Sequence, residues 1–257
     1  FNYFLKGKGN ISHISEATIF ITGANEWRDF DNWPPAARED KILYLHGKGR
    51  LDWNSPEVKA DYSEYISDPS NPVPYTEDVH FNRSNEYMTD DQRFAERRPD
   101  VLSFKTAVLD EDVTVTGIVM ADLLTSITTT DADFVIKLID VFPDDLAYNK
   151  VDIYSEEDPS LVYPMGGYEM LVHAEVFRGR YRNSLENPEP FVPNRIERVK
   201  YDIGDVAHTF KKGHRIMVQI QSSWFPLVDR NPQKFVNIYE ALESDFLKST
   251  IRIWHDN

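Results

Sequence analysis

An all-β fold, two packed sheets in a jelly-roll sandwich, is predicted by three features of this chain. About nine runs place apolar residues at every second position, the period of a strand with one covered face. The connections between them vary widely in length, as in sandwiches rather than in repeats. Helical periodicity is nearly absent, and its best stretch, Ile238 to Leu247, is short. The clearest run is 213–221. Ile216, Val218 and Ile220 fall on one face, expected to be core, and Arg215, Met217, Gln219 and Gln221 on the other, expected to face water. Lys212-Gly213 turns the chain into this strand. Pro226 lacks a ladder donor and closes it, so Trp224 and Phe225 are expected to roll over the edge of a core.

The other elements follow in order. Phe1 to Gly9 reads as the last turn of an amphipathic helix stopped at Gly7. Ala17 to Gly23 is a strand. Asn25 to Arg28 and Trp33-Pro34-Pro35 read as an aromatic turn, with Trp27 and Trp33 as structural wedges at an interface. Lys41 to His46 is a short strand. From 47 to 100 the chain is rich in Pro, Asp and Asn and reads as one long irregular loop, yet it carries Tyr62, Tyr65, Tyr75, Phe81, Tyr87, Met88 and Phe94. Loops of this length are uncommon unless ordered or functional, and rings in such number must be buried to offset the ordering entropy. Further strands are expected at 101–104, 113–123, 134–141, 168–177, 196–201 and 250–254.

Composition bounds the function. Of 257 residues, 41% are hydrophobic, ample for a core. Forty-three acids against 28 bases give a net charge of −15, which argues against nucleic acid or an anionic membrane as partner. With no cysteine there is neither disulfide nor thiolate chemistry, and the compartment, exported, periplasmic or cytoplasmic, stays open for a soluble protein. No apolar run reaches the roughly 18 residues of a membrane span. The chain opens at Phe1 without methionine or leader, as a part of something longer would.

A serine nucleophile of the α/β-hydrolase type needs the sharp elbow of G-x-S-x-G, and none of the eleven glycines has serine two residues on. None of the seven histidines is marked as a base; His214 reads as structural. Metal-ligand spacings are missing, so no cofactor or metal is expected. Asp131, Asp133, Asp140, Asp144 and Asp145 read as solvated turn residues, and the Glu156-Glu157 pair carries no readable chemistry. Arg98 with Asp100, and Asp229 with Arg230, are expected as partly buried pairs that pin loops.

Five stretches in order, FLKGKG, GANEWRDFDNWPP, SDPSNPVP with DQRFAERRPDVLSF, GYEMLVHAEVFRGRYRNS and GHRIMVQIQSSWFPLVDRNP, resemble the C-terminal domain of a group of serine hydrolases. The group comprises X-prolyl dipeptidyl peptidases, cocaine esterase, α-amino acid ester hydrolases and glutaryl-7-aminocephalosporanate acylases. The resemblance implies a non-catalytic, galactose-binding-like jelly roll at 16–257. Residues 1–15 would be the closing helix of an N-terminal α/β-hydrolase domain, which would supply the whole catalytic triad and be the main partner. It also implies that the long loop leans on that domain, with Tyr75, His80, Phe81, Tyr87 and Met88 as acyl-pocket wall or interface. The competing readings are a free-standing carbohydrate-binding module and an oligomerisation domain, with a homo-oligomer as the further partner. A flat row of exposed aromatics on one sheet face would mark the carbohydrate-binding reading.

Overall fold

A computed structural model describes residues 1–12, 14–57, 61–146 and 165–255. A helical turn, α1 (Asn2–Lys6), is stopped by Gly7 at φ 61°, where Cβ-bearing residues are strained. A hairpin follows, β1 (Ala17–Ile21) with β2 (Glu26–Phe30). The expected aromatic turn around Trp27 is therefore a strand, since Trp27 pairs across the hairpin with Phe20. The remaining strands are β3 (Tyr44–His46), β4 (Arg50–Asp52), β5 (Tyr62–Ser67), β6 (Leu102–Lys105), β7 (Val113–Ile127), β8 (Asp133–Val141), β9 (Glu169–Arg178), β10 (Glu197–Phe210), β11 (Arg215–Gln221) and β12 (Ser249–Trp254).

They form two sheets, one ordered β10-β7-β12-β5 and the other β3-β4-β6-β11-β8-β9. Every pairing is antiparallel except the single contact of β4 with β6. One core lies between the sheets. Leu123, Val199, Tyr201, Ile251 and Ile253 of the first meet Phe104, Phe134, Ile136, Leu138, Ile216 and Ile220 of the second. Each such side chain contributes about 1.5–3 kcal/mol on burial.

Three further expectations are corrected. Ile238 to Leu247 forms two single 3-10 turns, at Ile238–Glu240 and Glu243–Asp245, because no apolar face spans it and Tyr239 and Leu242 remain exposed. The stretch 47–100 is not one loop: β4 and β5 join the sheets, and a short helix, α2 (Arg93–Glu96), lies near its end. The outward face of β11 does not meet water. Met217, Gln219 and Gln221 are as buried as Ile216 and Ile220, because a segment of the chain crosses that face.

Trp33 is held by its indole, which donates to Asp205 Oδ1 at 3.2 Å. Beside it Pro34 rests on Gly117, where a Cβ would come within 2.7 Å of the proline ring. That contact, at φ 102°, explains why β7 has a glycine in its middle. Trp27, by contrast, is 70% exposed and packs only edge-on against Phe20 at 5.4 Å.

Candidate functional site

The outer face of the six-stranded sheet is the most elaborated surface of the domain. The register sets Ser103 of β6 opposite Gln219 of β11, and Gln219 opposite Lys137 of β8, so three polar side chains form one row across three strands. The neighbouring rows mix apolar and polar residues: Ile139 stands opposite Met217, which faces Lys105 on β6, and Val135 stands between Val176 and Gln221. Over them run residues 73–101. Gln92, at the start of α2, sits on the polar row: its Oε1 accepts from Lys137 Nζ at 2.8 Å and its carbonyl from Gln219 Nε2 at 3.3 Å. Val73, Ala95 and Val101 pack together as a small core of this cover, with Phe94 beside them.

The turn after β11 stitches the cover down. Ser223 Oγ accepts from the Val73 amide at 2.8 Å, the Phe225 amide donates to Val73 O at 2.9 Å, and the Tyr75 amide donates to Phe225 O at 2.9 Å. Three rings then stand in a train: Tyr75 to Tyr87 at 5.7 Å, and Tyr87 to Trp224 at 5.5 Å, edge to face. Tyr75 and Trp224 are buried and Tyr87 half-buried. Between Tyr75 and Tyr87 the chain projects as an arm. Tyr75 Oη accepts from the Ser84 amide at 2.9 Å across its base. Val79 and Phe81 at its tip are wholly exposed, and Met88 is exposed beyond it. His80 Nε2 lies 3.2 Å from Glu86 Oε2. Tyr75 and Tyr87 thus serve the domain's own packing, whereas Phe81 and Met88 point away from it.

Arg98 and Asp100 form a two-pronged pair, Nε to Oδ1 at 2.8 Å and an η nitrogen to Oδ2 at 2.7 Å, and Arg98 also donates to Asn71 O. Asp229 and Arg230 do not pair with each other, because each is taken by another partner. Asp229 takes Arg178 at 2.7 Å, while Arg230 donates to Pro69 O and stacks over Phe246 at 4.8 Å.

The buried ionic groups are what sequence reasoning missed. Asp131, Asp133 and Asp140 are fully buried instead of solvated. Arg180 grips Asp131 (2.5 and 2.8 Å), and Asn231 Nδ2 donates to Asp133 at 2.7 Å; burial pushes the Asp133 carboxyl up to about 7. Asp140 lies between His214 Nδ1 (2.9 Å) and His208 Nε2 (3.2 Å), which makes His214 the structural histidine expected of it. Lys137 is the other surprise. FVIKLIDV reads as a strand, and a lysine inside a run buried on both faces was the available signal.

One constellation looks catalytic. Ser63 Oγ lies 3.1 Å from His255 Nε2, and His255 Nδ1 lies 3.3 Å from Asp61 Oδ2, beside a polar cavity of about 480 Å³ lined also by His46 and Arg50. Ser63 stands in the flat run of β5, opposite the buried Ile253, not on a strand-to-helix elbow. The His255 imidazole is buried, and the His255 amide donates to Asp61 O at 2.9 Å. The three residues therefore act as a clasp that joins the end of β12 to the start of β5. Among the described residues no group of three or more His, Asp or Glu is placed to hold a metal, and no helix is long and apolar enough to cross a membrane. Glu156-Glu157 lies outside the described residues.

Similarity to known proteins agrees with this architecture. The chain is 32% identical over 240 residues to the cocaine esterase of Rhodococcus sp. (strain MB1 Bresler), covering 90% of this chain and 38% of that protein. It superposes on an aminopeptidase from a marine sediment Thaumarchaeota archaeon with a TM-score of 0.86 at 39% identity, over 99% of this chain and 41% of the other. An α-amino acid ester hydrolase gives 0.83 at 39% identity, over 93% and 39%. The chain thus spans about two fifths of these relatives. Residues 14–244 match the model of the X-Pro dipeptidyl-peptidase C-terminal non-catalytic domain, and the chain belongs to that family.

Proposed function

We propose that the chain is the supporting β-sandwich of a serine hydrolase that cleaves esters or peptide-like amides through an acyl-serine intermediate. An α/β-hydrolase domain preceding it supplies the nucleophile, base and acid. In this reading residues 1–15 close that catalytic domain and 16–257 form the sandwich. The arm between Tyr75 and Met88 reaches the acyl pocket. The carrying observation is the contrast within that arm: its base is fixed by Tyr75, Tyr87 and Trp224, while Val79 and Phe81 stand free at the tip. A rigid base with an apolar tip is what a pocket wall needs. Cocaine esterase and α-amino acid ester hydrolase are named for ester substrates, the aminopeptidase for peptide ones, so the relatives support the reaction class and leave the acyl group open. Acylase chemistry is a variant of the same reading.

The carbohydrate-binding alternative calls for a flat row of exposed aromatics. The open face of the four-stranded sheet carries one adjacent aromatic pair, Tyr62 and Trp254, tilted at 55°, with the Trp254 indole committed to Ser126 Oγ. That favours the hydrolase reading.

The test uses the full-length enzyme. Phe81→Ala and Met88→Ala should leave stability within about 0.5 kcal/mol, as exposed positions do. They should change the ratio of kcat/KM between small and bulky acyl donors by severalfold. Unchanged selectivity in both variants would remove the arm from the pocket.

A further inference from the structure

We propose that Lys137 and Gln92 form a pH-sensitive latch that holds residues 86–98 on the six-stranded sheet, closed while the Lys137 amine is neutral and loosened when it gains a proton. The geometry carries this in three steps. Lys137 is wholly buried in the middle of β8, and its Nζ donates to one acceptor, Gln92 Oε1, at 2.8 Å. The groups around it are uncharged: Gln92 and Phe94 from the cover, Trp224 from the turn after β11, Gln219 opposite on β11 and Ala174 opposite on β9. The amine lies 5.7 Å from the Phe94 ring centre and 5.4 Å from that of Trp224. The two rings attract a cation, but that attraction does not offset the desolvation of a buried amine with no carboxylate beside it. Burial therefore wins and brings Lys137 down to about 7.

The second step is that Gln92 makes both polar bonds of the row, one by side chain and one by main chain. Losing Gln92 unfastens the cover at one point. Buried Gln219 Oε1 and Ser103 Oγ have no hydrogen-bond partner among the described residues, so opening lets water reach them and offsets part of its own cost.

The third step separates this device from the other titrating groups of the cover. Asp91 pairs with Arg93, and Asp90 is raised by burial. Glu96 and Glu169 share Lys105, each at 2.8 Å. Burial, and next the hydrogen bond that its protonated carboxyl donates to Glu96, raise Glu169 to about 7. Glu169 holds its proton more tightly in the closed state, so it favours closure at low pH. Lys137 gives the opposite sign, with closure favoured at high pH. An open Lys137 has the ordinary value of about 10.5. Between there and about 7, closing releases a proton, so the opening constant rises about tenfold per pH unit as pH falls and levels off below.

The experiment is amide hydrogen exchange on the 257-residue chain. Rates at Gln92 to Arg97 are compared with those in Lys137→Met at the same pH, so that the intrinsic pH dependence cancels. The ratio of wild-type to variant rate should climb about tenfold per unit from pH 9 to pH 7. Amides of β7 at Leu123 should not show this climb. A constant ratio, or an equal climb at Leu123, would overturn the latch. Lysine-selective NMR of the wild-type chain gives an independent readout should the variant fold poorly. One lysine should titrate near pH 7, and titration of every lysine above about pH 9 would also overturn it.

Discussion

The two sheets solve the same burial problem in opposite ways. In the six-stranded sheet every residue of β8 is buried, because the interior covers one face and residues 73–101 with the Trp224 turn cover the other. In the four-stranded sheet β12 alternates strictly between buried and half-exposed, and Ile66 and Ile118 remain open to solvent. The open face is held by surface pairs such as Arg198 with Asp122 and Arg252 with Glu64, which contribute little. The covered face instead carries Lys137, Gln219 and Glu169, polar groups that each need a specific partner. Polar residues on a strand's second face do not by themselves mean solvent: β11 and β12 look alike in sequence and differ in what lies above them.

That contrast can be broken most forcefully at Trp224. Trp224→Ala should cost about 3–5 kcal/mol in urea unfolding, since it removes the end of the ring train and one wall of the Lys137 site. Gln219→Ala should cost about 1–3 kcal/mol, far above a surface substitution, because it strips Gln92 O of a buried donor. Were Gln219→Ala as mild as an exposed change, the cover would not be seated on β11. A smaller, pH-dependent effect is expected from Glu169. Its raised carboxyl contributes stability fully below about pH 4.5, and that contribution is lost as pH rises through about 7. Glu169→Gln should flatten this part of the stability profile, which slopes by up to about 1.4 kcal/mol per pH unit. The smallest effects belong to the open face, where Ile66→Ala and Ile118→Ala should stay within about 0.5 kcal/mol.

Much of the fold was legible because period 2 is a direct imprint of a one-faced strand. Ala17 to Gly23 and Thr250 to Trp254 coincide with β1 and β12 to within a few residues; Phe134 to Val141 coincides with β8, although both faces of that strand are buried. Short runs poor in apolar residues hid β4 (RLD) and β5 (YSEYIS), and the prolines and acids around them read as loop; β5 is the edge of its sheet, where polar residues are tolerated. The second covering of β11 could not be read, because it depends on contacts between Gln219 and Gln92, 127 positions apart. Separations of 49 and 192 positions likewise hid the arrangement of Asp131 with Arg180 and of Ser63 with His255, whose residues look unremarkable in their local sequence.

The domain's non-catalytic character is tested most directly by exposing the purified chain to a fluorophosphonate and to an activated acyl ester, with the adduct read by mass spectrometry. Ser63 is the serine to watch, given its 3.1 Å contact with His255. Held flat on β5 with no elbow behind it, it should remain unlabelled, and no burst or turnover should be seen. Stoichiometric labelling of Ser63, abolished by His255→Ala, would contradict this and make the clasp an active site.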